Sequence, residues 1–352
     1  MRYRACRSVT RAKGSPNQPW RRFRTKLLLI MLLGLVFMAG DCAPPSGRQQ
    51  GFFPGLRGVT IPEFPPADGL LLWLEGGPSD DSDATAYLRR ADSGPAAPGQ
   101  AVVAWRDVRW RPTQVAPFVY PTAVHFGFFE GSQRFEGQVV DVPLIGADRV
   151  ERTVRALRCG TPDDADTGVR CSYQVWWIVP VDLNGLRYTI LAVVRRISGR
   201  GSNYFIMSDA MGRCSSLTGI DCPANSALHL GWEGERTARL GHYYNDSSLE
   251  EVPAFRRNNY PISFFVGRAG AIGKQVALLE PNFNVFNTVS DTRPLANSGT
   301  LFVGGTPWGS RTGVPDWRFV GDVLAVLVYM DELNPENLLM AEAYLRGKYG
   351  PE

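Results

Sequence analysis

Lysine is scarce in this chain. Of its 38 basic residues, 4 are lysine and 34 are arginine, an imbalance that reads as the codon bias of a GC-rich bacterial genome. Histidine is scarcer still. His125, His229 and His242 each sit in a strand-like run among aromatics or leucines, which points to core or sheet-face packing rather than catalysis. No Gly-x-Ser-x-Gly elbow occurs, so the strand-to-helix turn of a serine hydrolase is not written here. Helical periodicity is almost absent until the C-terminal end, and no apolar run reaches the roughly 20 residues of a membrane-spanning helix. No internal repeat recurs at a fixed period.

What is present begins with charge placement. Residues 1–26 carry nine basic residues and no acid, and residues 27–40, LLLIMLLGLVFMAG, are uncharged and apolar. A basic segment before a short apolar run is the pattern of a signal peptide, expected over residues 1–42, with an uncleaved N-terminal anchor as the alternative. Beyond it remain 29 basic and 33 acidic residues, so the overall charge of +4 belongs to the targeting segment. The rest offers no nucleic-acid surface. Cys42 follows the apolar run directly and resembles the lipidated cysteine of bacterial lipoproteins. The residues before it, Ala39-Gly40-Asp41, put an acid where that pattern has a small residue. An exported location follows (extracellular, periplasmic or outer-surface), with membrane contact only through the signal anchor or a lipid on Cys42.

Four cysteines remain. Cys159 and Cys171 lie 12 apart, Cys214 and Cys222 lie 8 apart, and proximity favours two local disulfides among the three possible pairings. Neither spacing suits the Cys-x-x-Cys pairs of a zinc site, and an oxidising compartment favours bridges.

Residues 43–66 are rich in proline and glycine and read as a linker. From residue 67 to 352, short apolar runs alternate with turn clusters: Leu70–Leu74, Ala101–Trp105, Tyr173–Val179, Tyr188–Val194, Asn203–Met207, Leu228–Trp232, Ile262–Val266, Leu301–Val303 and Val323–Tyr329. Many carry the β-branched and aromatic residues that suit a pleated surface, which predicts an all-β sandwich or barrel. One helix is well signalled near the end. Asn334 can cap it, Pro335 suits its first position, and Gly347 or Gly350 can end it. Leu338, Leu339, Ala341, Tyr344 and Leu345 form its apolar stripe.

The strings GLLLWLEGG, VVAWRDV, VHFGFFEGSQRFEG, SDTRPLANSGTLFVGG and RFVGDVLAVLVYMDELNPENLLMAEAYLRGKYG resemble the laminin-G-like, concanavalin-A-type lectin/glucanase domains of secreted bacterial proteins. The resemblance spans residues 67–350 and implies a jelly-roll sandwich of two antiparallel sheets with a short C-terminal helix. It places the last strand beside the first, with the helix over the sandwich edge. Ala325 stands where the closing strand of those domains has a glutamate. Glucanases of this type use a strand motif Glu-x-Asp-x-x-Glu, whose alternation puts its carboxylates on one face. No such string occurs. The nearest, Glu233-Gly234-Glu235, reads as a solvated turn, so the sequence argues against an enzyme.

Binding residues are sought among aromatics in turn-like contexts. Trp308 and Trp317 lie beside Arg311 and Asp316, Tyr243 and Tyr244 lie beside Asn245, and Trp110 follows another strand-like run. A sugar site needs an aromatic face and side-chain amide, acid or guanidinium partners for hydroxyls. The acidic loop with Asp163, Asp164 and Asp166 is the candidate calcium site, as implied by the rim calcium of laminin-G-like domains. The expectation is an exported, non-enzymatic module that recognises carbohydrate or a surface protein through rim loops. A divergent polysaccharide hydrolase and a purely structural surface module are the alternatives.

Overall fold

The strand that ends the sequence's apolar runs is buried along all nine of its residues, Gly321–Tyr329. A strand can be buried on both faces only where each face is covered, and the computed structural model shows both covers. It describes residues 60–77, 88–89, 96–102, 104–109, 122–125, 137–145, 151–159, 173–176, 181, 183–197, 202–208, 228–242, 246–249, 262–280, 283–295, 301–304 and 319–350. All of them belong to one unit spanning Gln50–Glu352.

The strands are β1 (Leu70–Glu75), β2 (Leu88–Arg89), β3 (Ala101–Val102), β4 (Ala104–Arg106), β5 (Thr122–His125), β6 (Gly137–Ile145), β7 (Glu151–Cys159), β8 (Tyr173–Trp176) and β9 (Tyr188–Arg196). They continue with β10 (Ser202–Ser208), β11 (Leu228–Glu233), β12 (Thr237–His242), β13 (Asp246–Leu249), β14 (Ile262–Gly270), β15 (Gly273–Glu280), β16 (Phe283–Val289), β17 (Leu301–Val303) and β18 (Gly321–Tyr329). One helix, α1 (Pro335–Tyr349), follows. The first sheet runs β16-β15-β14-β9-β18-β7-β6-β3, with β1 also paired to β18. The second runs β13-β12-β11-β10-β17-β8-β5-β4-β2. Neighbouring strands are antiparallel throughout, and the protein is an all-β, two-sheet jelly-roll sandwich with a short C-terminal helix, as the sequence predicts.

Alternation along the central strands sorts side chains between two cores. Val323, Val326 and Val328 point between the sheets with Leu72, Leu74, Trp105, Ile190, Phe205, Trp232, Phe265 and Phe319. Leu324, Leu327 and Tyr329 point the other way, against Leu338, Ala341, Tyr344 and Leu345 of α1. The helix therefore lies on the outer face of the first sheet rather than over the sandwich edge. Apart from Glu342, the residues that α1 buries are apolar or aromatic, and each large apolar side chain so covered contributes on the order of 1.5–3 kcal/mol. The inter-sheet core is knitted by aromatic edges, with Trp232 and Phe265 centroids 4.6 Å apart and Phe205 and Phe265 4.9 Å apart.

The closing strand pairs with β1 as expected, Trp73 opposite Leu327 and Glu75 opposite Ala325. On that same edge β18 pairs first with β7 at Gly321–Val323 and then with β1. The register shifts between Val323 and Ala325, where one partner gives way to the other. Gly76 makes the crossing: its N–H donates to Leu324 O at 3.0 Å, and a Cβ there would sit 1.7 Å from Arg155 O. Asn334 caps α1 by accepting from Asn337 N–H at 2.8 Å, with Pro335 opening the helix and Gly350 ending it. The last part of the expected linker, from residue 60, also packs. Ile61 lies against Gly347, and the Phe64 ring meets Trp73 edge-on at 6.3 Å.

Candidate functional site

At one end of the sandwich three segments enclose an open pocket of about 350 Å3. They are the turn before β9, the β14–β15 hairpin and the stretch after β16, which contribute Arg187, Gly270, Ala271, Asp291, Thr292 and Arg293. Backbone bonds hold the walls. Gly185 N–H donates to Leu295 O at 2.7 Å, and Leu186 N–H donates to Leu183 O at 3.2 Å. Gly273 opens β15 at φ +122°, and a Cβ there would lie 1.9 Å from Val289 O, so glycine is what lets this hairpin lie against the end of β16.

Asp291 organises the floor. Its carboxylate accepts from Lys274 Nζ at 2.6 Å, from Arg293 Nε at 2.8 Å and Nη2 at 3.1 Å, and from Arg293 N–H at 3.1 Å. The Lys274 side chain is wholly buried. An ammonium there without a counter-charge would cost several kcal/mol, and Asp291 supplies one. The Arg293 hydrogen bonds, with those of Lys274, outweigh burial and hold the Asp291 carboxyl well below the usual range, while Asp291 raises the Arg293 guanidinium in turn. Asp291 is thus an ionised acceptor and not a proton donor.

Beneath the hairpin, Glu332 accepts from Arg268 Nη2 at 2.7 Å and from Ala271 N–H at 2.9 Å. Burial lowers the Arg268 guanidinium, and Glu332 opposes that shift. This pair ties the hairpin to the segment after β18. Arg187 stands apart from these networks. It is exposed, and no described residue pairs with it. The pocket therefore offers guanidinium donors, a hydroxyl and one fixed carboxylate in a concavity of the size that holds a small polar ligand.

Three other buried acids brace strands. Glu75 joins Trp73, Tyr344 and Lys348, Asp107 holds Arg109, and Asp322 lies between Arg158 and Arg195. His242 Nε2 and the Tyr188 hydroxyl meet at 2.5 Å inside the core, where burial pushes the Tyr188 phenol well above its ordinary pKa. His229 is also buried, its ring 4.7 Å from that of Tyr204. These two histidines pack, as the sequence implies. Glu233 and Glu235 flank Gly234 at the β11–β12 turn, with Glu233 paired to Arg239 and Arg196 donating to the carbonyls of Gly234 and Glu235. That is the turn the sequence suggests.

Most residues singled out from sequence lie outside the described residues. These are Trp110, Tyr243, Tyr244, Asn245, Trp308, Arg311, Asp316 and Trp317, the acids Asp163, Asp164 and Asp166, and Cys42, Cys171, Cys214 and Cys222. Cys159 is buried at the end of β7, opposite Gly321. Among the described residues no group of three His, Cys, Asp or Glu side chains is placed to hold a metal, and no helix is long and apolar enough to cross a membrane. The pocket residues Arg187, Lys274, Asp291 and Arg293 escape a search for aromatics. Two signals could have found them: a lysine, one of four in the chain, inside the strand-like run GKQVALLE, and an Asp-x-Arg pair in SDTRP.

No protein-family model matches the sequence, and no curated protein matches it. Solved structures do. An arabinofuranosidase complexed with arabinofuranosyl-α-1,2-xylobiose superposes with a TM-score of 0.51 at 10% identity, covering 80% of this chain and 64% of that one. A mutant GH54 α-L-arabinofuranosidase soaked with 4-nitrophenyl α-L-arabinofuranoside gives the same values, and the enzyme soaked with a cyclic sulfate inhibitor gives 0.50. The chain thus spans just under two thirds of the length of these enzymes. These matches correct two expectations. The laminin-G-like resemblance is not upheld, because the structures that share the sandwich are arabinofuranosidases and no family model supports the assignment. The exclusion of an enzyme also fails, because it rests on one absent motif and these structures with the same fold are enzymes.

Proposed function

We propose that the protein acts on carbohydrate and that the rim pocket receives a sugar unit. The observation that supports this most is the pocket itself, a preformed concavity of about 350 Å3 lined by Arg187, Asp291, Thr292 and Arg293. Sugars are recognised through many hydroxyls, each of which donates and accepts, and this lining supplies both kinds of partner. The shared sandwich favours hydrolysis of glycosidic bonds as the activity, although a fold hosts many functions and the site has to carry the argument.

Glycoside hydrolysis uses two carboxyl groups, one protonated to release the leaving group and one ionised. Asp291, held ionised by Arg293 and Lys274, suits the second role and not the first. Asp291 is the one acid in the pocket lining, so in this reading the proton donor comes from outside that lining. Arg187 and Arg293 orient the sugar.

The test is release of reducing ends by the full chain from arabinan, arabinoxylan, xylan and pectin, with Arg187→Gln alongside. The reading expects turnover of at least one polymer and a raised KM in the variant. No turnover, together with no change in melting temperature on adding any of the four polymers, would overturn it.

A further inference from the structure

We infer that the rim pocket selects an acidic sugar, holding the carboxylate of a uronic acid residue between Arg187 and Arg293. This inference rests on the sugar-pocket reading above and narrows it to a substrate class.

The charge arrangement carries the argument. Three charged side chains line the pocket: Arg187, Asp291 and Arg293. The one acid among them is already committed, since Asp291 accepts from buried Lys274 at 2.6 Å and from Arg293 through two guanidinium nitrogens. Two guanidinium groups therefore line the pocket beside a single carboxylate that is already engaged. The neighbouring Glu332 does not redress this, because Arg268 matches it at 2.7 Å and Ala271 N–H takes its other oxygen. Outside the lining, exposed Asp331 accepts from Glu332 N–H. The pocket itself keeps an excess of positive charge in a concave wall, where the field is focused rather than dispersed.

One of the two donors is also held in place. Asp291 fixes the Arg293 guanidinium through Nε and Nη2, which leaves Nη1 without a hydrogen bond to any described residue. Arg187 enters from a different wall, exposed and without a described partner. A guanidinium fork matches a carboxylate in geometry as well as charge, and a donor already held in place loses little freedom on binding. A neutral pyranose would leave both guanidinium groups facing hydroxyls alone. A uronate supplies the missing anion while its ring hydroxyls meet Thr292 and the backbone of the hairpin.

The experiment is calorimetric titration of the full chain with trigalacturonate, with the same trisaccharide fully methyl-esterified, with neutral arabinotriose and with a sulfated neutral trisaccharide. The methyl ester keeps ring and hydroxyls and removes only the charge. The expected result is binding of trigalacturonate that is at least about tenfold tighter than of its ester and weakens with salt. Arg187→Gln, which removes no described contact, lowers affinity for the acid by about tenfold and for the ester by a clearly smaller factor. Equal binding of acid and ester, tighter binding of the sulfated sugar, or an Arg187→Gln variant that binds the acid like the wild type would overturn the inference. If the ester or arabinotriose binds as well as the acid, the sugar-pocket reading stands and only the selectivity falls. If no saccharide binds, both fall.

Discussion

The Glu75 carboxylate accepts the Tyr344 hydroxyl at 2.5 Å, joining residues 269 positions apart. Glu75 is the last residue of β1 and is wholly buried, yet Trp73 Nε1 donates to the same oxygen at 2.8 Å and Lys348 reaches the other. The Trp73 and Tyr344 rings meet edge-on at 5.8 Å above it. One carboxylate thus fastens the C-terminal helix to the first strand. Tyr344→Phe is expected to cost about 1–2 kcal/mol and Glu75→Ala about 3–4 kcal/mol, because the second leaves several donors without a partner. Urea unfolding of the two variants measures both, and equal small losses would show that the helix is held by its apolar stripe alone.

Asp322 holds a second cross-strand row. It faces Arg158 on β7 and Arg195 on β9, with guanidinium nitrogens 2.7 Å away on each side. Asp322→Asn is expected to destabilise by about 2–4 kcal/mol, since two partly buried guanidinium groups lose their counter-charge. A double-mutant cycle with Arg195→Gln should show coupling above about 1 kcal/mol, and additive losses would contradict the row.

Glu342 gives the fold a pH dependence. Its side chain is buried in α1, with Arg346 Nε 2.8 Å away as its ion-pair partner. Burial outweighs the attraction of Arg346, and the Glu342 carboxyl is pushed up to about 7. The folded state then holds this proton where the unfolded chain, titrating near 4.3, has lost it. The contribution is complete below about pH 4 and is lost as pH rises towards 7, at no more than about 1.4 kcal/mol per unit. Glu342→Gln should flatten that slope and raise stability at pH 8. A wild-type and variant difference that does not change between pH 4 and 8 would contradict the assignment.

Gly273→Ala tests how the pocket wall is built. The new Cβ would fall 1.9 Å from Val289 O, a backbone atom that cannot swing aside, at a φ that side chains rarely adopt. The expected cost is above about 2 kcal/mol, with saccharide binding weakened in the fraction that stays folded. Gly99→Ala, where φ is also positive but a Cβ meets nothing within 4 Å, is the control and should cost less.

The fold was legible where strands are apolar on both faces. Continuous runs such as LAVLVY mark the centre of the first sheet, and Asn334-Pro335 marks the helix start. What escaped were strands whose outer face is polar or interrupted. In β7, ERTVRALRC, three arginines interrupt the apolar residues, and β6 carries Pro143. The site was less legible for a related reason. Aromatics stand out in a sequence, whereas Arg187 and Asp291 are 104 residues apart and are brought together only by β9, β14 and β15 lying side by side. A charge excess in a pocket belongs to the arrangement and cannot be seen in any one segment.

The most direct measurement is hydrogen exchange of the full chain with and without saturating trigalacturonate and arabinotriose. If the rim pocket is the sugar site, one or both ligands will protect residues 183–187, 269–273 and 291–295 together. Protection confined to another region, such as the stretch containing Trp308 and Trp317, with those three segments unchanged, would contradict it.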